Sequence, residues 1–166
     1  MKQDESFINF YEEEEELVSL EPIITFPLAD QLYALPIGSV KEVIKSPEIT
    51  IMPQLPQHLK GLVNVRGNVF AVLDLAQVFG YASSLQEYSY LIILDLDNYA
   101  VALGVTAVPN TIHVNMDQIQ KVQKSTGEKD MMDNYILGFI KHQDELIGLL
   151  AIDHLIASEE FARLIS

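Results

Sequence analysis

Residues 59–79 read LKGLVNVRGNVFAVLDLAQVF, and residues 136–156 read ILGFIKHQDELIGLLAIDHLI. The two stretches align without a gap, with Gly61 on Gly138 and apolar positions on apolar positions. A second pair of stretches lies upstream and repeats at a nearly equal offset, at residues 28–44 and 96–112. Internal repetition is the first signal to weigh, because it constrains the whole architecture. Two copies are too few for a solenoid, so the sequence predicts a pair of similar modules.

Composition indicates a globular protein without disulfides. The chain has 166 residues and 49% hydrophobic residues, enough for a core in one ordinary domain or two small subdomains. The absence of Cys excludes disulfides, thiolate zinc sites and cysteine nucleophiles. The longest apolar run, residues 90–94, is far shorter than the roughly 20 residues that cross a bilayer. No signal peptide is predicted after Met1, so we expect a soluble, cytoplasmic protein without direct membrane insertion.

Charge is concentrated at the N-terminus. Half of the net charge of −14 lies in residues 1–21, which include five consecutive Glu at residues 12–16. We interpret residues 1–20 as an acidic extension, either a solvated tail or an arm that masks the protein or binds a partner. Phosphate binding needs a basic stripe, which ten Lys and Arg spread over the chain do not form. Nucleic acid is therefore not an expected partner.

Short runs rich in β-branched residues, broken at turn residues, predict an all-β fold. Strands are predicted at residues 23–28, 32–37, 49–52, 62–65, 69–73, 88–96, 99–105, 135–141 and 146–150. Helical spacing of apolar residues is confined to residues 75–79 and 152–165. Nearly continuous apolar runs indicate strands covered on both faces, which two small packed β-barrels provide.

The predicted boundaries follow the repeat. The acidic extension covers residues 1–20, and the first and second barrel modules cover residues 21–84 and 85–157. Residues 158–166 form a C-terminal helical tail. Loops are expected at residues 81–87 and 121–133, and the second loop absorbs the difference between the two repeat offsets.

The sequence carries none of the common catalytic motifs, neither a glycine-rich phosphate loop nor a nucleophile elbow nor a paired zinc-binding histidine motif. Its four histidines show no spacing typical of metal ligands. Asp74 and Asp153 lie at predicted strand-to-helix junctions, where Asp commonly caps a helix. We therefore predict no enzyme, no catalytic residues, no metal site and no cofactor.

We expect the positions at which the two copies agree to serve the fold, and the positions at which they differ to serve function. The first hairpin tip, residues 64–68, reads NVRGN, whereas its counterpart at residues 141–145 reads KHQDE. A turn explains Gly67 but not Arg66, one of only two arginines in the chain. Arginine suits bidentate recognition of a partner carboxylate and is favoured at interface hot spots. A small basic patch is predicted around it, formed by Lys41, Lys45, Lys60 and Arg66.

The chain resembles the CheW family of bacterial chemotaxis adaptors over about residues 22–157. The matching segments are LYALPI and VKEVI in the first module, then IMP, GLVNVRG and VLDL, and finally YILG and LLAID near the end. The resemblance implies two intertwined, five-stranded, SH3-like β-barrels (CheW-like) with short helices. It also implies a non-enzymatic scaffold that couples methyl-accepting chemoreceptors to a CheA-type histidine kinase at membrane-associated receptor arrays.

The resemblance also implies the interaction sites. The family's kinase contact falls on the Asn-x-Arg-Gly hairpin, here Asn64, Arg66 and Gly67, with Asn68 beside them. A receptor helix is expected in a groove near the junction of the modules, with Val40, Glu42 and Val43 as candidates. This chain departs from the family pattern at Thr106, where Asp is common, and at Pro109-Asn110, which is expected to interrupt the following strand.

Two alternatives remain open from the sequence. One keeps the fold but makes the chain a CheV-like or orphan scaffold of a motility signalling cluster, without kinase contact. The other is a β-barrel that binds a small ligand or nucleic acid, which would require a concave apolar pocket or aromatics stacked in a basic groove. The absence of Trp and the net charge of −14 disfavour the nucleic-acid variant.

Deletion of residues 2–20 should leave the thermal unfolding midpoint almost unchanged. The extension is strongly charged and lacks apolar periodicity, so it has little surface to bury against the core. Calorimetry of the full-length and shortened chains tests this. A drop of many degrees would show that the extension is structural.

Overall fold

The computed structural model describes residues 19–81, 87–121 and 134–164, in which ten β-strands carry the fold. Residues 1–18 of the predicted extension (residues 1–20) and most of the two predicted loops lie outside the described residues. The strands are β1 (Leu20–Leu28), β2 (Gln31–Pro36), β3 (Val40–Lys45), β4 (Leu59–Val65), β5 (Asn68–Leu73), β6 (Tyr90–Leu94), β7 (Val101–Val105), β8 (Asn110–Asn115), β9 (Ile136–His142) and β10 (Glu145–Leu150).

The ten strands form two five-stranded sheets, as the sequence predicted. One sheet has the strand order β8-β1-β2-β10-β9, and the other has the order β3-β6-β7-β5-β4. Both are mainly antiparallel and each contains one parallel pair, β2 with β10 and β5 with β7. The all-β, two-barrel fold is confirmed.

The sheets do not follow the predicted division of the chain between residues 84 and 85. Strands β1 to β5 belong to the first repeat and β6 to β10 to the second, yet each sheet takes a hairpin from one repeat and three strands from the other. The β6–β7 hairpin pairs with β3 and β5, and the β1–β2 hairpin pairs with β8 and β10. One sheet is therefore built from residues 40–105, and the other from residues 20–36 and 110–150.

The pairing registers of the two sheets are equivalent residue by residue. In one sheet Ala71 pairs with Val101, and at the aligned positions of the other sheet Gly148 pairs with Tyr33. The hairpins β4–β5 and β9–β10 also have a shift in pairing register at equivalent places, residues 59–61 and 136–138. The repeat seen in the sequence is therefore a repeat of backbone geometry.

The two sheets share the largest hydrophobic cluster, so they pack against each other. From one sheet it takes Phe26, Tyr33 and Leu35, and from the other Leu73, Ile92 and Leu103. All six are almost fully buried. Each barrel also has a smaller cluster of its own, one around Ile23 and Leu149 and one around Val63 and Leu91.

In the described chain, three short helices follow strands β5 and β10. Helix α1 (Leu75–Val78) follows β5, and its N-cap is Asp74, whose carboxylate accepts the Gln77 N–H at 3.4 Å. Helices α2 (Ile152–Ile156) and α3 (Glu159–Leu164) follow β10. Among the described residues no helix has the length and hydropathy needed to span a bilayer.

Four local predictions were wrong. Residues 49–52 form no strand, because only Thr50 makes an isolated bridge, to Leu62. The predicted helix at residues 152–165 is two helices, since the first ends at the C-cap Ala157. Its N-cap is Ala151, so Asp153 lies in the first turn and caps nothing. Pro109 does not interrupt a strand, because β8 begins directly after it.

Gly61 and Gly138 allow the same close backbone approach in both sheets. A Cβ on Gly138 would stand 2.6 Å from the Gln120 carbonyl oxygen, and one on Gly61 would overlap the carbonyl oxygen of Thr50. These carbonyls belong to the residues that bridge to the two hairpins. Because the obstacle is backbone on both sides, the strain cannot be relieved by a rotamer change.

Gly61→Ala and Gly138→Ala should each destabilise the protein by about 1–3 kcal/mol, the usual cost of forcing an extra methyl group into filled space. Urea denaturation followed by far-UV circular dichroism gives the free energy of unfolding. Gly38→Ala is the matched control, because a Cβ there meets no atom within 4 Å. Equal stability of all three variants would contradict the close approach.

Candidate functional site

Arg66 lies at the tip of a tight hairpin between β4 and β5. Val65 and Asn68 pair, which leaves Arg66 and Gly67 as a two-residue loop. Both have positive φ, 50° and 84°, as a type I′ turn requires. The Gly67 N–H donates to the side-chain oxygen of Asn64 at 2.9 Å, which holds the turn from inside. Three of the four predicted kinase-contact residues thus form one compact unit, with Asn68 at its edge.

Arg66 is not isolated, because its guanidinium donates to the carboxylate of Glu42 on β3. The Arg66 side chain remains 69% exposed and that of Glu42 27% exposed. The sequence predictions placed Arg66 in a kinase site and Glu42 in a receptor site. In the structure these two residues are in direct contact, so the two candidate sites adjoin.

The three predicted receptor-contact residues do not point the same way. Along β3, positions 40, 42 and 44 are partly buried and alternate with exposed positions 41, 43 and 45. Val40 packs against the shared core, and Glu42 turns toward Arg66. Val43 is 38% exposed, and in the sequence of β3 it lies between two exposed lysines, Lys41 and Lys45. The structure therefore brings only Glu42 of the three to the hairpin.

The predicted basic patch is smaller than the sequence indicated. Lys60 turns inward to Asp74, with Nζ 3.4 Å from the carboxylate, and is only 30% exposed. Asp74 is almost fully buried and also interacts with the hydroxyl of Tyr88, and burial followed by the Asp74 charge raises the pKa of that phenol. Asp74 is thus the centre of a buried polar cluster as well as a helix cap. Lys41, Lys45 and Arg66 are the remaining basic residues of the predicted patch.

A cleft beside the hairpin was not predicted. It has a volume of about 450 Å³ and connects Lys41 and Asn68 with the loop between β6 and β7. Two large side chains are exposed at this cleft, Val69 at 54% and Tyr99 at 48%. Nothing in the sequence distinguishes Val69 from its buried neighbours in the run VFAVL. Tyr99, by contrast, follows the turn at Asp97-Asn98, where exposure could have been expected.

The described residues offer little that a ligand could occupy. They contain no group of three or more Asp, Glu or His placed to hold a metal ion. One cleft among them, of about 510 Å³, is open to solvent and is lined by the segment after β3 together with Lys60 and Tyr88. Enclosed small-molecule sites usually bury most of the ligand, which an open cleft does not.

The chain belongs to the CheW-like domain family, whose family model matches residues 22–160. It is 26% identical to the chemotaxis protein CheW of Helicobacter pylori over 138 residues, covering 82% of this chain and 81% of that protein. It is 25% identical to the chemotaxis protein CheW of Treponema pallidum over 148 residues, covering 86% and 85% of the two chains.

A solved structure has the same fold. The crystal structure of the scaffolding protein TtCheW from Thermoanaerobacter tengcongensis superposes with a TM-score of 0.72 at 29% identity. The superposition covers 86% of this chain and 91% of TtCheW. The intertwined topology found here is therefore that of the family.

Arg66→Asn should leave the free energy of unfolding within about 1 kcal/mol of the wild type, because an exposed ion pair contributes little and Asn tolerates positive φ better than Arg. Gln143→Asn is the matched control, since Gln143 holds the same turn position in the second hairpin with φ of 47°. Chemical denaturation of both variants separates turn preference from the ion pair. A loss of several kcal/mol in Arg66→Asn alone would make the pair structural.

Proposed function

We propose that this protein is a non-enzymatic chemotaxis adaptor that joins the cytoplasmic tip of a chemoreceptor to the regulatory domain of a CheA-type histidine kinase. Family membership supports this assignment. The observation that carries it is the exposed guanidinium of Arg66, held at the tip of a tight turn and oriented by Glu42. The adaptor is recruited from the cytoplasm to membrane-associated receptor arrays through these contacts.

Arg66 is well suited to be the centre of the kinase contact. A guanidinium carries five N–H donors, and the contact with Glu42 engages only one nitrogen, Nη2. The other donors are available to a carboxylate or backbone carbonyls of the kinase. Because the turn and the ion pair already restrict the side chain, less conformational entropy is lost on binding than for a free arginine. Asn64, Gly67 and Asn68 contribute the shape of the tip.

The receptor contact is proposed for β3, with Val40, Glu42 and Val43. This strand is at the edge of its sheet, beside the hairpin that carries Arg66. Val43 offers an exposed apolar side chain for a receptor helix, and Val40 supports the strand from the core side. Because Glu42 contacts Arg66, a partner bound to one residue changes the surroundings of the other. The ion pair is thus a physical link between the two binding events.

The alternative of an orphan or CheV-like scaffold without kinase contact keeps the same fold and surface. It differs only in what Arg66 touches. The small-ligand alternative has weaker support, because the cleft of about 510 Å³ on the described surface is open. Binding to the purified kinase regulatory domain separates the proposed adaptor from both alternatives.

Arg66→Glu should leave the fold intact and weaken binding to the kinase regulatory domain by about 2–4 kcal/mol, as expected for a hot-spot residue. Isothermal titration calorimetry measures the affinity, and circular dichroism checks the fold. Gln143→Glu is the matched control, because it places the same charge on the equivalent turn of the other hairpin. Unchanged affinity of Arg66→Glu would favour the scaffold without kinase contact.

The charge-swapped variant Glu42→Arg/Arg66→Glu separates two explanations of that loss. It restores an ion pair of opposite polarity between β3 and the hairpin. If Arg66 itself contacts the kinase, the swap does not restore binding. Recovery of wild-type affinity would show that only the link between β3 and the hairpin matters, and would remove the direct role assigned to Arg66.

A further inference from the structure

The acidic segment at the N-terminus has a defined point of attachment to the fold. Residues 1–18 contain seven acidic residues and one Lys, and five of the acids are the consecutive Glu at residues 12–16. The described chain continues into β1, which begins at Leu20. Leu20 is 56% exposed. Residue 16 is thus only four residues from the fold, about 13 Å in an extended chain.

The strand that begins at this attachment point contacts the turn that leads into β3. Ile23 of β1 pairs with Pro36, and the 3-10 turn Ile37–Ser39 that follows packs against β1. The turn leads directly into Val40, the first residue of β3. A chain that approached Leu20 along β3 would therefore run antiparallel to that strand.

The outer face of β3 carries the cations that such a chain would meet. Its exposed side chains are Lys41, Val43 and Lys45, and the pairing register shifts between Val40 and Glu42, so Lys41 lies at a bulge. Within the described part of the chain, neither lysine forms an ion pair, whereas Lys60 and Arg66 have carboxylate partners. Asp95 and Asp97 share a cleft with Lys41, and Glu48 follows the strand. These acids reduce the local positive potential but leave both ammonium groups available.

The spacing of charges also matches. Lys41 and Lys45 are four residues apart in β3, at most about 13 Å in an extended strand, and the bulge at Lys41 shortens that separation. Residues 12 and 16 are separated by the same number of residues, and Glu occupies every position between them. In an extended antiparallel arrangement residue 16 lies near Lys41 and residue 12 near Lys45. Continuous Glu makes this match tolerant of small shifts in register.

We propose that residues 12–16 dock on the outer face of β3 in the same molecule, across Lys41 and Lys45. The tether makes the contact intramolecular, with an effective concentration in the millimolar range for a short linker. The contact is electrostatic and exposed, so salt screens it. If β3 and Arg66 bind the partners proposed above, on which this consequence rests, the docked segment competes with them and lowers their apparent affinity.

The internal repeat provides a control surface. The positions aligned with Lys41, Val43 and Lys45 are Pro109, directly before β8, and Thr111 and His113 within it. None carries a fixed positive charge. Strand β8 is also close to the attachment point, because Asn115 pairs with Leu20. Proximity alone would therefore bring the segment to β8 at least as often as to β3.

Paramagnetic relaxation enhancement tests the docking directly. The chain has no Cys, so Asn9→Cys gives a single site for a nitroxide label on the full-length protein. We expect selective broadening of the amide signals of residues 41–45 relative to residues 111–115. The selectivity should be lost in a variant with Gln at residues 12–16, in Lys41→Gln/Lys45→Gln, and at 1 M salt.

Three results would overturn the proposal. These are equal broadening of β3 and β8, selective broadening that survives the charge-neutral variants, and broadening that arises only between molecules. A mixture of labelled protein and unlabelled, isotope-enriched protein identifies the last case. The measurement involves no kinase or receptor, so its failure leaves the proposed function untouched. Failure of the Arg66 tests, conversely, leaves the docking intact.

Discussion

Two short parallel strand pairs determine how the molecule is put together. Strand β2 pairs with β10 and β5 with β7, and each pair joins strands from different repeats. The pairs β1 with β8 and β3 with β6 also cross between repeats. Only the hairpins are formed within a repeat. Neither repeat can therefore complete a sheet without the other, and the two modules form a single cooperative unit.

The two repeats therefore share the same backbone structure but differ in the side chains at their hairpin turns. Both long hairpins end in two-residue turns with positive φ, Arg66-Gly67 in one and Gln143-Asp144 in the other. The geometry of the turn is thus independent of the side chains it presents. Arginine is an unfavourable choice for positive φ, and the same holds for Gln143, so backbone conformation alone does not distinguish the two tips. The contact of Arg66 with Glu42 does distinguish them.

The sequence was informative about local structure and about the duplication. The aligned positions proved equivalent in register, the Arg66-Gly67 turn is where the hairpin reverses, and Asp74 caps α1. The exchange of strands between repeats could not be predicted from the sequence. The alternation of polar and apolar residues shows which face of a strand is buried, but not which strands pair with it. Strands β3 and β8 were not predicted from periodicity, since both are only partly buried and carry polar residues.

Side-chain contacts between distant positions were also beyond local patterns. Glu42 and Arg66 are 24 residues apart, and only the closure of the barrel brings them together. Lys60 was counted with the exposed cations because nothing in its neighbourhood shows that Asp74 lies across the ladder. The family resemblance supplied the candidate residues, and the fold then showed which of them touch. Their contacts with one another could not be read from the sequence.

In the sequence, the segment that forms one sheet lies between the two segments that form the other sheet. This order has a consequence for synthesis on the ribosome. One sheet comes from a single uninterrupted stretch, residues 40–105, whereas the other sheet needs residues 20–36 and 110–150. The first hairpin to emerge, β1–β2, thus waits for the last strands before both of its edges are paired. Unpaired strand edges promote association with other chains. The nascent protein is therefore most vulnerable to misassembly at its beginning, and that risk ends only when β10 leaves the exit tunnel.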